Sequence, residues 1–390
     1  MNVFSPIGIR GLAIISIALI VIVSFGLFFY IQGITEQSIR DNLFEQQRKR
    51  QMDSTQIISN HISSDLELVI AMMDGLANSL YLQQGQFYDN EAKELIGKKY
   101  DDFNKVINRL FVLDENDIVA ASFAPRGLEN LAGKDLSLRE WVRETRNSLH
   151  PVFSAGYENQ GIYRVFITYP VIQKGTEQYL GMIGLSVPTI PFFAQYNKNL
   201  EAQNSNVNNQ FLVAFDRRGI ILANDVDQKL VGQDFFGENV QMFINHNTEL
   251  NRLTKSLLSG DAGYAVYDYG RGERLTTQQP VFVNDKSELF IQMVSPTTQL
   301  YSEIQEAISL EQVKMFSLLV GTIAAITVFV IFLVKWNSTL ENEAKKKAQQ
   351  LYESERKARE LENSYDAVKQ YLDEVLDELH RKPVHSQGGY

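Results

Sequence analysis

Residues 110–120 read LFVLDENDIVA, and residues 163–186 read YRVFITYPVIQKGTEQYLGMIGLS. In each stretch, runs of β-forming residues flank a cluster of turn residues, which predicts two strands joined by a loop. The segment between them contains LSLREW at 136–141 and a helix-like run over 139–148. The stretch from Phe111 to Ser186 therefore predicts an antiparallel sheet with a helical flap, an arrangement that can form a pocket.

The flap residues resemble those of the double Cache (dCache) family of extracytoplasmic sensors. Arg139 and Trp141 match the Arg-x-Trp pair that this family carries on its flap, and Tyr157 matches a strand tyrosine. A strand-turn-strand pattern recurs, more weakly, over 211–224, and the resemblance extends over 38–309. It implies an α+β fold in which a long N-terminal helix carries two PAS-like antiparallel-sheet modules, the membrane-distal one binding a small ligand.

The resemblance assigns the ligand pocket to polar residues of the flap and strands. The amino-acid-binding branch of the family has tyrosines where this chain has Lys134 and Val142. It has carboxylates for the ligand ammonium where this chain has Asn159 and Ser186, so the electrostatic reason to bind a standard amino acid is lost. A carboxylate or another small polar metabolite is the expected ligand. The candidate ligand-binding residues are Arg139, Trp141, Tyr157, Asn159, Tyr163, Thr168 and Ser186.

Without the resemblance, Arg139 and Trp141 have a plainer interpretation as a surface arginine and a core tryptophan. Both can face one cavity only at a helix start or in an irregular flap, because residues two apart do not share a helix face. In that geometry the guanidinium could hold a carboxylate through two parallel charge-assisted hydrogen bonds. The indole could then cover an apolar face of the ligand.

Two apolar segments predict membrane spans. Residues 11–31 and 315–334 carry no charge, and each is long enough to cross a hydrocarbon core of about 30 Å as a helix. A cleaved signal peptide is the alternative for the first, but its apolar run exceeds the usual ~7–15 residues. A buried core helix is the alternative for the second, but Lys314 and Lys335 flank it as interfacial anchors would.

The charges around the second span set the expected orientation. Lys335 and Lys345–Lys347 follow this span, whereas acidic residues dominate the segment before it, so the positive-inside rule places the C-terminus in the cytoplasm. The charges around the first span weakly favour the opposite orientation. We let the second span decide, which predicts a cell-membrane protein with both termini cytoplasmic and the sensor domain extracytoplasmic.

The segment 34–82 predicts one long extracytoplasmic helix, because no proline interrupts it and apolar residues recur every three or four positions. Such a helix would be about 70 Å long and could run past both modules. The resemblance implies that it also forms a dimer contact, whereas packing on its own domain alone is the plainer alternative. The repeating residues are Ile58, Ile62, Leu66, Val69, Met73, Leu76 and Leu80.

The two modules are expected at 83–196 (membrane-distal) and 208–300 (membrane-proximal). An Asn-rich polar stretch that includes 204–209 predicts the linker between them. Alternating apolar and polar residues then predict three strands in the proximal module, over 263–269, 274–283 and 289–294.

The segment 337–381 predicts a cytoplasmic coiled coil. Apolar residues occupy the a and d positions of one heptad frame for about five heptads, with Lys347 and Ser354 as polar exceptions. A solitary charged helix is the alternative. The tail Pro383–Tyr390 is expected to be disordered.

The sequence lacks the signatures of an enzyme or a cofactor site. It contains no cysteine, no phosphate-binding Gly-rich loop, no zinc-protease helix and no nucleophile elbow, so neither catalysis nor a cofactor is expected. Asp225, Asp227 and Asp234 lie in a turn-like setting that argues against a metal site. The net charge of −10 falls almost wholly on the extracytoplasmic part, which makes nucleic acid a poor partner.

These patterns predict a homodimeric receptor that binds a small molecule outside the membrane. Its signal would pass through the two spans to the coiled coil, which would dock a separate kinase or regulator. The rival class is a membrane-anchored structural or assembly protein whose pocket is vestigial.

Overall fold

The computed structural model of the chain describes residues 6–103, 107–159, 161–203 and 210–381. Residues 33–309 form one compact unit, and the described residues on either side of it form a second. The predicted linker at 204–209 and the predicted disordered tail at 383–390 lie outside the described residues.

The first sheet is antiparallel and contains the strands predicted around the flap. Its order is β2-β1-β6-β5-β3, and β4 also pairs with β5. Apolar side chains cover both faces, so its central strands are buried almost throughout. The strands are β1 (Arg109–Leu113), β2 (Val119–Phe123), β3 (Val152–Phe153), β4 (Tyr157–Asn159), β5 (Ile162–Ile172) and β6 (Tyr179–Pro188).

The second sheet has the same antiparallel design and the order β8-β7-β11-β10-β9. Two long strands at its centre pair over their whole length and carry most of its buried residues. The strands are β7 (Phe211–Asp216), β8 (Ile221–Asn224), β9 (Gly263–Tyr267), β10 (Arg274–Val283) and β11 (Lys286–Pro296). The three strands predicted for this module are therefore present.

Helices connect and cover the sheets. A long helix begins the described chain, another long helix ends it, and α4 is the predicted flap. The helices are α1 (Pro6–Ala77), α2 (Leu80–Gln83), α3 (Asn90–Phe103), α4 (Glu140–Ser148), α5 (Thr189–Gln203), α6 (Glu238–Phe243), α7 (Thr248–Leu258) and α8 (Thr298–Arg381), with a 3₁₀ turn at Gln228–Leu230. The α+β fold class with a long N-terminal helix is thus confirmed.

Helix α1 packs on both modules with the predicted apolar repeat. Six of the seven repeat residues, from Ile58 to Leu76, are buried in a core cluster that includes residues of both sheets. Leu80 is the exception, with 66% of its surface exposed. The prediction of one helix to residue 82 is wrong at this point, because α1 ends at Ala77 and the chain restarts as the short α2.

A row of polar residues joins α1 to the second sheet. Gln51 donates from Nε2 to the carbonyl oxygens of Leu275 (3.0 Å) and Met293 (2.8 Å). One turn later the Thr55 hydroxyl hydrogen-bonds to the Thr277 hydroxyl at 2.6 Å. After one more turn the Ser59 hydroxyl donates to the carbonyl oxygen of Pro280, also at 2.6 Å. Ser63 continues the row by donating to the carbonyl of Phe282. This contact is made of directional bonds at a spacing of four residues, and we refer to it as the polar row.

The distal sheet is tied to α1 by a tyrosine. Tyr169 donates to Asp74 at 2.7 Å, and burial followed by this hydrogen bond raises the pKa of Tyr169 to about 12. The unfolded chain has a tyrosine pKa near 10. Because the pKa is higher in the folded state, protonated Tyr169 contributes to the free energy of unfolding. This contribution is fully present below pH 10 and is lost as the pH rises from 10 to 12.

We therefore expect Tyr169→Phe to reduce the alkaline loss of stability. Because Tyr169 is partly exposed to solvent, the difference between pH 8 and pH 11 should be at most about 1 kcal/mol. Thermal unfolding of the full chain at the two pH values measures it, with Tyr81→Phe as the control. An alkaline loss in Tyr169→Phe as large as that of the wild type would contradict this assignment.

The unit formed by the chain ends contains the predicted spans. Within the described residues, two helices are long and apolar enough to cross a membrane, and no residue of their most apolar windows is buried. Phe25 of α1 and Ile323 of α8 line one apolar groove between the two helices. These features fit a two-span membrane protein.

Candidate ligand-binding site

The start of the flap brings Arg139 and Trp141 to one cleft. Arg139 caps α4 with φ −72° and ψ 133°, an extended conformation outside the helix. Because residue 139 is not helical, its side chain is free to face the same side as residue 141. Both residues line the cleft.

Aromatic rings form one wall of the cleft. The Trp141 indole stacks on Phe166, with ring centroids 4.8 Å apart and an interplanar angle of 16°. The Arg139 guanidinium lies 5.3 Å from the centroid of the Tyr157 ring, and its Nη1 donates to the Tyr157 hydroxyl at 3.4 Å. Arg139 is otherwise exposed, so a cation lies at the rim of an aromatic surface.

The cleft has a volume of about 290 Å³ and lies between the two modules. This space suits a small metabolite rather than a peptide. The distal module supplies the flap and strands β3 and β4, and the proximal module supplies a turn and one residue of β11. The residues that line it are Leu138, Arg139, Glu140, Trp141, Glu144, Phe153, Ser154, Ala155, Gly156, Tyr157, Asp216, Arg217, Arg218 and Glu288.

The proximal wall carries charges that the sequence did not assign to the site. Arg217 lies 3.5 Å from Glu288 and 3.9 Å from Glu144, and it donates to the carbonyl of Phe153 at 3.3 Å. Burial raises the pKa of Glu288, and the charge of Arg217 offsets part of this rise. The three consecutive charged residues Asp216, Arg217 and Arg218 are visible in the sequence as part of a turn. A turn motif does not indicate which part of the other module the turn will contact, so the sequence did not assign them to the site.

A hydrogen bond and close packing hold the two walls together. The backbone N–H of Gly156 donates to Asp216 at 3.1 Å. A Cβ on Gly156 would lie 2.4 Å from the Tyr163 ring and 2.8 Å from Leu222 of the proximal module. Only glycine fits at this point, so the strand that carries Tyr157 lies directly on the neighbouring module.

Four predicted site residues lie away from the cleft. Asn159 uses its backbone carbonyl to accept from Arg164 at 2.8 Å. Tyr163 packs between the modules, where burial and then the charge of Asp216 raise its pKa to about 12. Thr168 is fully buried and hydrogen-bonds to Thr145 of the flap at 2.5 Å, and Ser186 is fully buried on β6. The structure therefore brings together Arg139, Trp141 and Tyr157 of the seven candidates.

The interior between the sheet and the flap, where the sequence placed the pocket, is filled by side chains. Val142, the residue after Trp141, is fully buried there, because stacking of Trp141 on Phe166 draws the start of α4 onto the sheet. The open cleft lies instead at the edge of the flap, beside the start of α4. The filling cluster consists of Phe111, Leu113, Val119, Val142, Phe166 and Met182, with Trp141 packed against it.

The acidic residues after β8 cap turns. Asp227 accepts from the backbone N–H of Lys229 at 3.1 Å, and Asp234 accepts from that of Phe236 at 2.9 Å. Within the described ranges, no group of three or more His, Cys, Asp or Glu could hold a metal ion.

Comparison with known proteins identifies the fold. No protein-family model and no curated protein matches the chain. The extracellular domain of mmHK1S-Z3, designated a histidine kinase, matches with a TM-score of 0.50 and 12% identity, over 68% of this chain and 98% of that one. The periplasmic sensory domain of the Campylobacter jejuni chemoreceptor Tlp1 matches with a TM-score of 0.50 and 13% identity, over 66% and 98%. The chain shares the fold of these sensory domains, so the fold that the double Cache resemblance implied is confirmed.

Proposed function

We propose that this chain is a two-span membrane sensor that binds a small, carboxylate-bearing molecule in the cleft of Arg139, Trp141 and Tyr157. The observation that carries the proposal is the meeting of an exposed guanidinium and a stacked indole at one small cleft. No catalytic step is assigned to the chain. The sensory-domain fold supports this function and does not identify the ligand.

The charges of the cleft orient the ligand. Arg139 can hold a carboxylate by two parallel charge-assisted hydrogen bonds while Trp141 covers the adjacent apolar surface. Glu144, Asp216 and Glu288 also line the cleft and repel a second anionic group. The anionic end of the ligand therefore lies on the Arg139 side of the cleft.

The position of the cleft between two modules supplies a route for the signal. A ligand shifts a conformational equilibrium only by its differential affinity for the two states. A molecule that contacts both Arg139 and Arg217 has a different set of contacts whenever the modules change their spacing. In our proposal this change passes through the two spans to a homodimeric cytoplasmic coiled coil at 337–381, which docks a separate kinase or regulator. Both termini are then cytoplasmic.

A ligand screen on the full chain in lipid nanodiscs tests the proposal. Small carboxylates, amines and nucleobases are added separately, and the Tm of the protein is measured. We expect at least one carboxylate to raise the Tm, because a ligand that binds only the folded state stabilises it. A screen in which only amines or nucleobases act would overturn the assignment of the ligand class.

A second function, a structural or assembly role with a vestigial pocket, is favoured by one observation. The interior between sheet and flap is filled by the protein's own side chains. In this case no small molecule of any class changes the Tm, and Arg139→Ala behaves as the wild type in every binding and signalling assay.

A further inference from the structure

Two buried arginines lie on the flap-side face of the distal sheet. Only 3% of Arg109 and 2% of Arg164 is exposed to solvent. Arg109 shares its face of β1 with Phe111, which packs under the flap, because alternate residues of a strand face the same side. Arg164 lies two residues before Phe166 on β5 and therefore shares this face of the sheet. Burial, and then the positive charge of Arg164, lowers the pKa of Arg109.

The two arginines differ in their partners. Arg164 donates to the carbonyl of Asn159 at 2.8 Å and, more weakly, to that of Ile162 at 3.4 Å. Among the described residues, the side chain of Arg109 has neither a hydrogen bond nor an ion pair, and its buried Nη1 is unpartnered. The charge of Glu129 acts on the Arg109 pKa, but Glu129 is exposed and bound to Lys134.

Two unpartnered hydroxyl groups flank Arg109. Ser186 is its direct partner across β1 and β6, and Ser122 is the partner of Phe111 across β1 and β2. Partners in an antiparallel pair project from the same face, so both serines lie on the face of Arg109. Within the described part of the chain, the buried Oγ atoms of Ser186 and Ser122 have no hydrogen-bond partner. Three unpartnered polar groups, all able to donate, therefore share one buried patch.

Such a patch requires a negative partner. A guanidinium stays protonated in proteins, and burial of a charge without a counter-charge is unfavourable. The described residues provide two cations and two hydroxyl donors here, but no carboxylate in hydrogen-bond contact with Arg109. We infer that Arg109, Ser122 and Ser186, with Arg164 beside them, form a buried binding site for a compact anion of the size of chloride or a carboxylate group.

This site is separate from the cleft of the proposed function and does not depend on it. Arg109, Ser122, Arg164 and Ser186 are not among the residues that line that cleft. The anion has two possible sources, namely an inorganic ion from solution and the carboxylate of an organic acid. Chloride and acetate represent these sources and can be tested separately.

The test measures the Tm of the full chain at constant ionic strength while chloride or acetate replaces the bulkier morpholinoethanesulfonate, which has no carboxylate. We expect at least one of the two to raise the wild-type Tm by roughly 3 °C at saturation. Arg109→Met should abolish the rise, and Ser186→Ala should reduce it. Arg126→Met, which removes an exposed arginine, serves as the control and should keep the full rise. If Arg109→Met does not fold, the anion-dependent rise in Tm is compared between the wild type, Arg109→Lys and Ser186→Ala.

A crystal grown with bromide supplies an independent readout, since an anomalous peak beside Arg109 locates a halide directly. If acetate alone raises the Tm, density for acetate at Arg109 replaces that peak as the expected result. A wild-type Tm that is the same in morpholinoethanesulfonate, chloride and acetate would overturn the inference and would indicate that water is the partner of the three groups. An anion response that Arg109→Lys and Ser186→Ala retain in full would also overturn it.

Discussion

Arg139→Ala is expected to weaken binding of the carboxylate ligand by about 100-fold, which corresponds to loss of roughly 2.7 kcal/mol of charge-assisted hydrogen bonding. The Tm of the unliganded protein should stay nearly constant, because Arg139 is exposed and, among the described residues, its side chain hydrogen-bonds only to Tyr157. Isothermal titration calorimetry of the full chain with a carboxylate from the ligand screen measures the change.

Two further variants make the Arg139 result specific. Arg139→Lys keeps the charge but loses the planar fork, so an intermediate loss of affinity is expected. Arg143→Ala removes an exposed arginine from the same helix that does not line the cleft, and it should bind as the wild type does. Equal losses in Arg139→Ala and Arg143→Ala would show that only the general charge of the flap matters.

Gln51→Leu is expected to destabilise the protein by on the order of 3 kcal/mol, because two backbone carbonyl oxygens and one hydroxyl lose a buried hydrogen-bond partner. The carbonyls belong to Leu275 and Met293, and the hydroxyl belongs to Ser295. Leucine fills a similar volume, so the effect isolates the hydrogen bonds of the polar row. The Tm should fall by roughly 8 °C for a unit of this size.

The matched control for Gln51 is on the same helix. Gln56 is exposed and, within the described part of the chain, its side chain bonds only to Asn60, so Gln56→Leu should leave the Tm within about 1 °C of the wild type. A small effect of Gln51→Leu, comparable with that of Gln56→Leu, would mean that the polar row does not fix α1 on the second sheet.

Local patterns in the sequence predict most of this fold. The alternating strands, the turns between them and the apolar repeat from Ile58 to Leu76 follow from side-chain periodicity, which tertiary contacts reinforce. Leu80 departs from the pattern because the helix ends at Ala77, and the nearby Gly75 and Asn78 do not interrupt the apolar repeat that predicted a longer helix.

The candidate site was only partly predictable, because its two walls come from different modules. Arg139, Trp141 and Tyr157 belong to one module, and the family resemblance singled them out. Arg217 and Glu288 enter the cleft through packing at Gly156, which no spacing rule describes. Sequence patterns report which face of an element is buried, but not which neighbour it meets.

The buried arginines were missed for a different reason. An arginine within a strand is normally an exposed residue of its polar face. Arg109 and Arg164 instead lie buried on the flap-side face of the sheet, which also carries the aromatic residues Phe111 and Phe166. Only the three-dimensional structure reveals that these charges are buried.

The most direct test of the proposed sensor uses the tryptophan in the cleft. The chain has two tryptophans, Trp141 and Trp336, so Trp336→Phe leaves the indole of the cleft as the only one. We expect a carboxylate ligand to change the fluorescence of this variant saturably, with the dissociation constant found by calorimetry, and we expect Arg139→Ala to abolish the change over the same concentrations. Calorimetric binding that leaves Trp141 emission unaltered, and that Arg139→Ala does not weaken, would contradict the account.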